Sequence, residues 1–337
     1  MMRFITFGEI MMRLSTEAAD TFTTASHFNI NIGGSEMNVA MSLAASGVDV
    51  SMITSLPDNG FGRRTVSMLK SNDIETGHIN LKGRRMGTYF LEKGFNVRGS
   101  SVIYDRKYSS LEQSTRSDYD FDDAFQGYDW FHFSGITPAL NTEMQEVLMD
   151  ALEAAKARGM KISADLNFRG NLWSFEEARK TMTKFVKYCD VIFGYEPLEL
   201  IEDGREVKDG LERNPDADTL KPILEKIHKE YGVSHIAFTQ RTVVHSNRNI
   251  IRAMISTGDS IHETDAYEVE ILDRIGTGDA FTAGVIHGLM DDEMGYEDTL
   301  QNALGNMLYK HTISGDFLTE DIATMGSVLD ATREVKR

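Results

Sequence analysis

The chain has 337 residues, of which 41% are hydrophobic and 26% charged, and its formal net charge is -17. Such a composition is typical of a globular protein with a sizeable core. The acidic balance argues against a nucleic-acid or anionic-membrane surface, because both depend on clustered Lys and Arg. The single cysteine, Cys189, excludes an internal disulfide. Without a signal peptide or a membrane-spanning apolar stretch, the sequence predicts a cytoplasmic protein.

Short apolar runs alternate with amphipathic stretches along the chain. The pattern predicts strands at residues 4–7, 50–53, 130–133, 161–164, 191–193 and 235–238, and helices at residues 35–46, at residues 60–71 and after Thr142. The helix after Thr142 has the clearest stripe, with apolar residues at helical spacing from Met144 to Ala155. This alternation predicts an α/β fold with a mainly parallel sheet that is covered by helices on both faces.

Two segments, at about residues 11–32 and 85–108, interrupt this alternation with short strand-like runs and no helix. We expect antiparallel strands that project from the main sheet as a small β-sheet lid. Such a lid would cover the carboxyl ends of the parallel strands, where these sheets bind ligands. The alternative is an edge extension that serves only as a dimer contact. Both roles can coexist, and we expect a homo-oligomer, a dimer formed through the lid.

Residues 33–38 read Gly-Gly-Ser-Glu-Met-Asn at the start of the first predicted helix. Paired glycines, including Gly34, permit close approach of the backbone to a ligand. The side chains of Ser35, Glu36 and Asn38 offer hydrogen bonds. Taken alone, however, a Gly-Gly pair before a helix is also typical of an ordinary loop.

Residues 273–284 read Asp-Arg-Ile-Gly-Thr-Gly-Asp-Ala-Phe-Thr-Ala-Gly. Gly276 and Gly278 allow the backbone N–H groups to turn toward one point, and the helix that follows adds free N–H donors and a positive dipole end. An anion site is therefore expected here. A carboxylate at Asp279 would repel a phosphate, so its natural task is to accept a proton from an alcohol that attacks a phosphoryl group.

These two segments resemble the N-terminal and C-terminal signatures of the PfkB-type (ribokinase-like) carbohydrate kinases. The signatures are Gly-Gly-x-x-x-Asn-x-Ala-x-x-Leu-Ala-x-x-Gly and Asp-x-x-Gly-x-Gly-Asp-Ala-Phe-x-Ala-Gly. The resemblance implies a ribokinase-like three-layer sandwich over residues 1–337, with ATP and Mg²⁺ as cofactors and a monovalent cation as an open option. It also implies sugar contacts from the glycine-rich segment and phosphate binding by Gly276, Thr277 and Gly278, with Asp279 as the catalytic base.

Arginines on the substrate side favour an acidic sugar, because a guanidinium binds a carboxylate bidentately. Any single arginine is also typical of a solvated surface. The segments at residues 89, 104–107, 131–140, 165–169, 172–174 and 310–317 resemble substrate-side motifs of the 2-keto-3-deoxygluconate kinases. This likeness implies that Tyr89, Tyr104 and Arg106 reach the sugar acid from the lid. It places Arg169 between the substrate and the transferring phosphate, and Asn167 near the phosphates.

The chain departs from the family in the Asn-x-x-Glu motif that is tied to magnesium and phosphate. Residues 193–199 read Phe-Gly-Tyr-Glu-Pro-Leu-Glu, so the asparagine is missing, and Glu196 and Glu199 remain alternatives for the acidic role. Acidic residues at a helix start are also expected from the helix dipole alone. The magnesium ligands therefore stay unassigned.

The nucleotide side has a second departure. Residues 239–244 read Thr-Gln-Arg-Thr-Val-Val where many relatives have a glycine-bearing turn, so Thr239 and Arg241 are the candidates for the ATP phosphates. Asn302 and Asn306 are both candidates for an adenine contact, and both are equally consistent with ordinary helix-surface positions.

The sequence thus predicts an ATP-dependent kinase that phosphorylates the terminal hydroxyl of 2-keto-3-deoxygluconate. A fructokinase-like sugar kinase of the same family is the nearer alternative. A nucleoside kinase is disfavoured because the lid has no base-stacking clamp. A catalytically dead sugar sensor is disfavoured because Gly276, Gly278 and Asp279 are intact.

Overall fold

A computed structural model of the chain describes residues 2–330, so residue 1 and residues 331–337 of the predicted 1–337 domain lie outside the described residues. The strands, numbered in chain order, are β1 (Arg3–Phe7), β2 (Met11–Ser15), β3 (Asn29–Gly33), β4 (Asp49–Leu56), β5 (Ile74–Glu75), β6 (Ile79–Leu81), β7 (Gly87–Glu92), β8 (Ser101–Asp105), β9 (Trp130–Ser134), β10 (Lys161–Asp165), β11 (Val191–Phe193), β12 (Ile201–Glu202), β13 (Arg205–Glu206), β14 (His235–His245), β15 (Arg248–Ser256), β16 (Ile261–Glu263) and β17 (Tyr267–Glu270). The α-helices are α1 (Ser35–Ala44), α2 (Gly60–Ser71), α3 (Phe121–Ala124), α4 (Thr142–Ala157), α5 (Phe175–Phe185), α6 (Ala217–Tyr231), α7 (Thr277–Met290), α8 (Tyr296–His311) and α9 (Ser327–Asp330). Short 3-10 helices lie at Arg116–Asp118, Val186–Tyr188 and Ile322–Thr324.

The main sheet is mostly parallel. Its strand order is β16-β15-β14-β11-β10-β9-β1-β4-β5, with β17 beside β15 and β6 beside β4. All pairs from β14 through β1 to β5 run parallel, and only the β15 edge pairs antiparallel with β14, β16 and β17. The predicted strands all lie within observed ones, and the predicted parallel sheet is confirmed. The predicted helix at residues 35–46 ends earlier, at Ala44.

Helices cover both faces of this sheet, which gives three layers. One core cluster packs helices α4, α5 and α6 against one face of the sheet, with Leu148 and Leu224 fully buried. The other joins α1, α7 and α8 to the opposite face, with Leu43 and Leu304 equally buried. The strands between them are buried on both sides, as parallel strands are when helices cover both faces of the sheet. No helix within residues 2–330 is long and apolar enough to cross a membrane.

Helix α4 forms as its sequence predicts. The side chain of Asn141 caps it by accepting a hydrogen bond from the backbone N–H of Met144 at 2.8 Å. Such a cap contributes about 1 kcal/mol. The predicted stripe is completely buried and consists of Met144, Val147, Leu148, Ala151, Leu152 and Ala155. The apolar face of the helix is thus fixed against the sheet at both its start and its end.

The lid is a separate four-stranded sheet with the order β3-β2-β7-β8. Its outer pairs are antiparallel, as expected, but its central pair, β2 with β7, is parallel. The prediction of a purely antiparallel lid is therefore wrong. The reason lies in the connections: β2 follows the parallel strand β1 and β7 follows β6, which pairs parallel with β4, so both leave the main sheet in the same direction.

Candidate active site

A cavity of about 380 Å³ lies where the lid covers the carboxyl ends of β1, β9 and β10. Most of the site residues predicted from sequence line it: Gly34, Ser35, Asn38, Tyr89, Tyr104, Arg106, Asn167, Arg169, Gly276, Thr277, Gly278 and Asp279. Thr239 does not line this cavity; it lies within β14, opposite Ala253. The fold therefore brings together segments from the glycine-rich loop, the lid and the start of α7.

The turn before α7 has the geometry of an anion site. Gly276 caps the helix with φ 76, in the left-handed region, and a Cβ there would lie 1.6 Å from the backbone oxygen of Asp316. Only glycine fits this position. Gly278 differs, because a Cβ there would meet nothing within 4 Å and would extend into open space. The start of a 14-residue helix and its free N–H groups thus face the cavity.

Asp279 lies in the first turn of α7 and is held by α1. Its Oδ1 accepts a hydrogen bond from Ser35 Oγ at 2.9 Å, and its Oδ2 accepts one from Asn38 Nδ2 at 2.6 Å. Burial raises the pKa of Asp279 to about 7, against the opposing effect of these hydrogen bonds. A carboxyl group with a pKa near neutrality is well matched to accept a proton from an alcohol.

The segment after β10 supports the same carboxylate. Asn167, with φ 36, donates from Nδ2 to Ser35 Oγ at 3.2 Å and to Asp165 Oδ2 at 3.1 Å. Burial raises the pKa of Asp165 to about 6, while the positive charge of Arg169 opposes the shift. Arg169 itself is exposed at the cavity. Asn167 thus connects two carboxylate-bearing segments through Ser35.

Glu36 also lines the cavity, but its hydrogen bonds are made to protein. Its Oε1 accepts from the backbone N–H of Ser134 at 2.9 Å, from Ser134 Oγ at 2.6 Å and from Thr137 Oγ1 at 3.3 Å. Burial raises its pKa to about 7. A Cβ at Gly8 would lie 2.1 Å from the Glu36 carboxyl carbon, so glycine is required there. Through Oε1, Glu36 thus holds the start of α1 against the end of β9.

Two tyrosines of the lid face the cavity from adjacent strands. The rings of Tyr89 and Tyr104 have centroids 5.6 Å apart. The hydroxyl of Tyr89 donates to Asp316 Oδ2 at 3.3 Å, and burial raises the pKa of Tyr89 well above its usual range. The structure thus places both tyrosines at the cavity, with Tyr89 bonded to the segment that packs against Gly276.

Arg106 reaches the cavity as half of an ion pair that the sequence did not indicate. Its Nε donates to Glu9 Oε2 at 3.0 Å, and its Nη2 contacts the same oxygen. Glu9 is buried and also accepts a hydrogen bond from Ser109 Oγ. Within residues 2–330, Nη1 of Arg106 has no such partner, so one edge of the guanidinium remains for a ligand. Glu9 could have been noticed only as an acid directly after the first buried strand.

Arginines besides Arg106 give the cavity more positive charge than the net charge of the chain suggests. Arg241 and Arg274 line it together with Arg169. Arg274 donates from Nη2 to the backbone oxygen of Ser246 at 2.6 Å. Burial lowers the pKa of Arg241, and the charge of Arg274 lowers it further. Sequence analysis missed Arg274, although it lies inside the C-terminal signature, residues 273–284, at a position that the pattern leaves variable.

Neither candidate from the altered Asn-x-x-Glu segment lies at the cavity. Glu196 forms an ion pair with Lys208 Nζ at 2.8 Å, and Glu199 is exposed. Residues 2–330 contain no group of three or more side chains that could hold a metal ion by themselves. Asp165 and Asp279 nevertheless present carboxylates to the cavity. This set fits Mg²⁺, which commonly binds one or two carboxylates and takes its other ligands from phosphate and water.

The two adenine candidates differ in the structure. Asn306 is fully buried within α8, so it is not a helix-surface residue in this conformation. Asn302 is partly exposed, and its Oδ1 accepts a hydrogen bond from the backbone N–H of Gly326 at 2.7 Å. Neither lines the cavity, and the adenine contact stays unassigned.

The class of protein follows from comparison with known families. The model of the pfkB family carbohydrate kinases matches residues 1–307, and the chain belongs to this family. It is a phosphotransferase with an alcohol group as acceptor, and kinases of this family use ATP.

Individual relatives show which members of the family the chain is similar to. The chain is 31% identical to the 2-dehydro-3-deoxygalactonokinase of Haloferax volcanii, over 93% of this chain and 92% of the relative. It is 27% identical to the 2-dehydro-3-deoxygluconokinase of Bacillus subtilis, over 89% of this chain and 87% of the relative. The crystal structure of the 2-dehydro-3-deoxygluconokinase of Thermotoga maritima is 35% identical and superposes with a TM-score of 0.88, covering 97% of this chain and 100% of that one. The ribokinase-like fold predicted from sequence is thereby confirmed.

Proposed function

We propose that the protein is an ATP-dependent kinase of 2-dehydro-3-deoxygluconate, also called 2-keto-3-deoxygluconate, and that it phosphorylates the terminal hydroxyl. The observation that carries the proposal is the position of Asp279. Its pKa lies near 7, and it stands at the start of α7 between the glycine-rich segment and a row of arginines. The names of the three relatives support a sugar acid as the acceptor. A cytoplasmic location, where ATP is available, accompanies this proposal.

In the proposed reaction, the terminal hydroxyl of the sugar acid lies against Asp279. The hydroxyl proton passes to the Asp279 carboxylate while the alcohol oxygen bonds to the terminal phosphorus of ATP and the bond to ADP breaks. The N–H groups of Gly276, Thr277 and Gly278, with Arg169, bind the phosphoryl oxygens on which charge builds. Because the surrounding hydrogen bonds already hold the carboxylate, little reorganisation is needed during transfer.

The ATP phosphates lie, in this proposal, between the start of α7 and Asn167. Arg241 and Arg274 add positive charge on that side of the cavity. Magnesium, when bound, neutralises charge on the phosphates. Asp165 is the carboxylate that would hold it, together with phosphate oxygens. Thr239 remains a prediction for ATP binding outside this cavity.

In this proposal, the lid binds the carboxylate of the substrate. Arg106 has one guanidinium edge fixed by Glu9, and the other edge is available to a carboxylate. Tyr89 and Tyr104 line the same cavity as Arg106 and Asp279. A neutral ketose would leave the free edge of Arg106 without an anionic partner, so the site favours an acid.

The test is ADP release over a panel of acceptors. The expected best substrate is 2-dehydro-3-deoxygluconate. Its galacto epimer is the second candidate, because the Haloferax volcanii relative is named for it. Fructose and ribose serve as the neutral alternatives. Equal turnover of fructose would overturn the acid assignment, whereas a preference for the galacto epimer would change only the stereochemistry.

We also propose a dimer formed through the lid. Strand register places a row of apolar side chains on the lid face that points away from Tyr89 and Tyr104: Ile30, Leu14, Phe90 and Ile103. Ile30 is 45% exposed and Ile103 is 53% exposed. A sheet face of this kind is a favourable contact for a second copy.

Light scattering after gel filtration tests this proposal. Ile103→Asp should convert the dimer to a monomer, because it places a charge on the exposed β8 end of the apolar row. Ile201→Asp is the matched control, since Ile201 is 46% exposed on the distant β12–β13 hairpin. A wild type that is already monomeric at micromolar concentration would contradict the proposal.

A further inference from the structure

A buried charge cluster lies beside the anion-binding turn, and the proposed reaction does not use it. Arg13, from lid strand β2, is 1% exposed. Its Nη1 donates to both carboxylate oxygens of Asp273, at 3.1 and 2.9 Å, and its Nη2 lies 2.7 Å from Asp316 Oδ1. Asp273 is the first residue of the C-terminal signature, residues 273–284. An ion pair therefore connects a lid strand to the segment that leads into the anion-binding turn.

Lys310, at the end of α8, completes the cluster. It is fully buried, and its Nζ donates to the backbone oxygen of Ile313 at 3.3 Å. Burial lowers its pKa, while the charges of Asp273 and Asp316 oppose that shift. Arg13 thus pairs with two carboxylates inside the protein, and the amino group of Lys310 lies farther from them. Such balance matters because an unpaired buried charge is strongly destabilising.

The two carboxylates of the cluster contact the catalytic machinery directly. Asp273 Oδ1 accepts a hydrogen bond from the backbone N–H of Ile275 at 3.1 Å, one residue before Gly276. The backbone oxygen of Asp316 lies against Gly276, and its carboxylate accepts from the Tyr89 hydroxyl. Any movement of these carboxylates would therefore move both the anion-binding turn and a tyrosine of the lid.

A monovalent cation beside this turn does not fit the structure. A cation that supported the turn would need oxygen ligands, and the buried carboxylates next to it are Asp273 and Asp316. Arg13 already pairs with both carboxylates, with distances of 2.7 to 3.1 Å between its Nη atoms and their oxygens. The buried amino group of Lys310 lies in the same cluster and donates to the backbone oxygen of Ile313. The charge that a bound ion would supply is already supplied by side chains.

We propose that Arg13 is a positioning residue that acts as a built-in counter-cation: it holds the anion-binding turn through Asp273 and Asp316, ties that turn to the lid, and makes the kinase independent of potassium or sodium. This inference rests on the proposed kinase activity, because its measurements are made on phosphoryl transfer. It goes beyond that activity by assigning a role to a residue that does not contact either substrate.

The experiment compares Arg13→Ala and Arg13→Lys with the wild type, first in tetramethylammonium salts and then with about 100 mM potassium at the same ionic strength. Arg98→Ala is the matched control. Arg98 is also a lid arginine, with Nη1 3.1 Å from Glu92 Oε1 and Nη2 donating to the backbone oxygen of Ala18 at 2.7 Å, but it does not line the cavity. Melting temperatures are recorded for all four proteins.

The kcat of the wild type should change by less than about twofold when potassium is added. Arg13→Ala should lose kcat by about tenfold or more, with a smaller change in the KM for the sugar acid, because the turn stabilises the transferring phosphoryl group. Potassium should restore part of that loss by entering the vacated position. Arg13→Lys, which keeps the charge without the bidentate fork, should retain more activity than Arg13→Ala.

Three outcomes would overturn the inference. The first is a wild-type rate that rises tenfold with potassium, because the counter-cation would then not be built in. The second is a folded Arg13→Ala enzyme with wild-type kcat. The third is an Arg13→Ala enzyme that potassium does not help, since its defect would then not come from missing charge. An inactive wild type on every acceptor would instead contradict the proposed function and is distinguished at the start.

Discussion

The two sides of the cavity are built in different ways. On the side that we propose binds phosphate, Gly276, Thr277, Gly278 and Asp279 are consecutive residues at the start of one helix. On the side that we propose binds the sugar, the ion pair of Arg106 and Glu9 joins residues 97 positions apart. The phosphate side therefore uses backbone geometry that a short sequence dictates, whereas the sugar side depends on contacts between distant segments.

This difference predicts different consequences for mutations. In the proposed reaction, groups of the phosphate side act on charge that develops only during transfer, so changes there should lower kcat. Groups of the sugar side, in the same proposal, bind the substrate equally before and during transfer, so changes there should raise KM. Substitutions on each side of the cavity test that division.

The largest effect is expected for Asp279→Asn. The amide cannot accept the hydroxyl proton, so kcat should fall by about 10²–10⁴. Steady-state kinetics on 2-dehydro-3-deoxygluconate and an ATP-binding measurement test this together. Retention of more than about a tenth of the activity would remove Asp279 from the mechanism.

The melting temperature of the same variant serves as a control for folding, and the pKa of Asp279 determines how it should depend on pH. The pKa of Asp279 in the folded protein is raised to about 7 from its ordinary value of 3.8. A raised acid pKa means that the folded state favours the protonated form, so this contribution to stability is present at low pH and is lost as pH rises through about 7. The amide of the Asp279→Asn variant carries no charge, so the melting temperature of this variant above neutral pH should not fall far below that of the wild type.

Two glycines of the turn should respond differently to valine. Gly278→Val places a side chain in open cavity space, so the protein should fold normally while kcat falls on the order of 10²-fold. Gly276→Val places a side chain against the backbone of Asp316 at a left-handed φ, so it should lower the melting temperature as well. A fully active Gly278→Val enzyme would mean that the N–H groups do not face the phosphate.

Sequence and structure agree best where the information is local. The amphipathic stripe of α4 and the turn at Gly276–Asp279 were both predicted because periodicity and glycine requirements act over a few residues. The parallel pairing of β2 with β7 was not, because it depends on how two separate chain segments leave the main sheet.

The same limit explains the site residues that were missed. Glu9 follows the first strand and Arg13 lies in the second, but their partners Arg106, Asp273 and Asp316 come from other segments. An acid or an arginine within an apolar run gives no indication of its partner. Only the fold shows that Glu9 pairs with a residue of the cavity and that Arg13 pairs with residues beside the turn at Gly276.

The sugar side is tested by Arg106→Ala. Loss of a charged hydrogen-bond partner costs about 1.5–3 kcal/mol, so the KM for the sugar acid should rise roughly ten- to a hundredfold with little change in kcat. The preference of the enzyme for the keto acid over the matching neutral ketose should narrow. Glu9→Gln keeps the shape of the partner and should show a weaker effect in the same direction. A large fall in kcat for Arg106→Ala at unchanged KM would break the division between the two sides.

The smallest and most specific effect is on pH dependence. With the pKa of Asp279 near 7, kcat/KM should rise with pH and level off above about pH 8, because the base acts only when it is deprotonated. The charge of Arg169 lowers that pKa, so Arg169→Ala should move the midpoint to higher pH as well as lower kcat. Arg116→Ala is the control, because Arg116 is 55% exposed and pairs with Asp150 at 2.6 Å, outside the residues that line the cavity. Full pH profiles of the three enzymes measure the shift. A midpoint that stays fixed in Arg169→Ala, or moves to lower pH, would show that Arg169 does not act on the catalytic carboxylate and belongs to the binding of substrate alone.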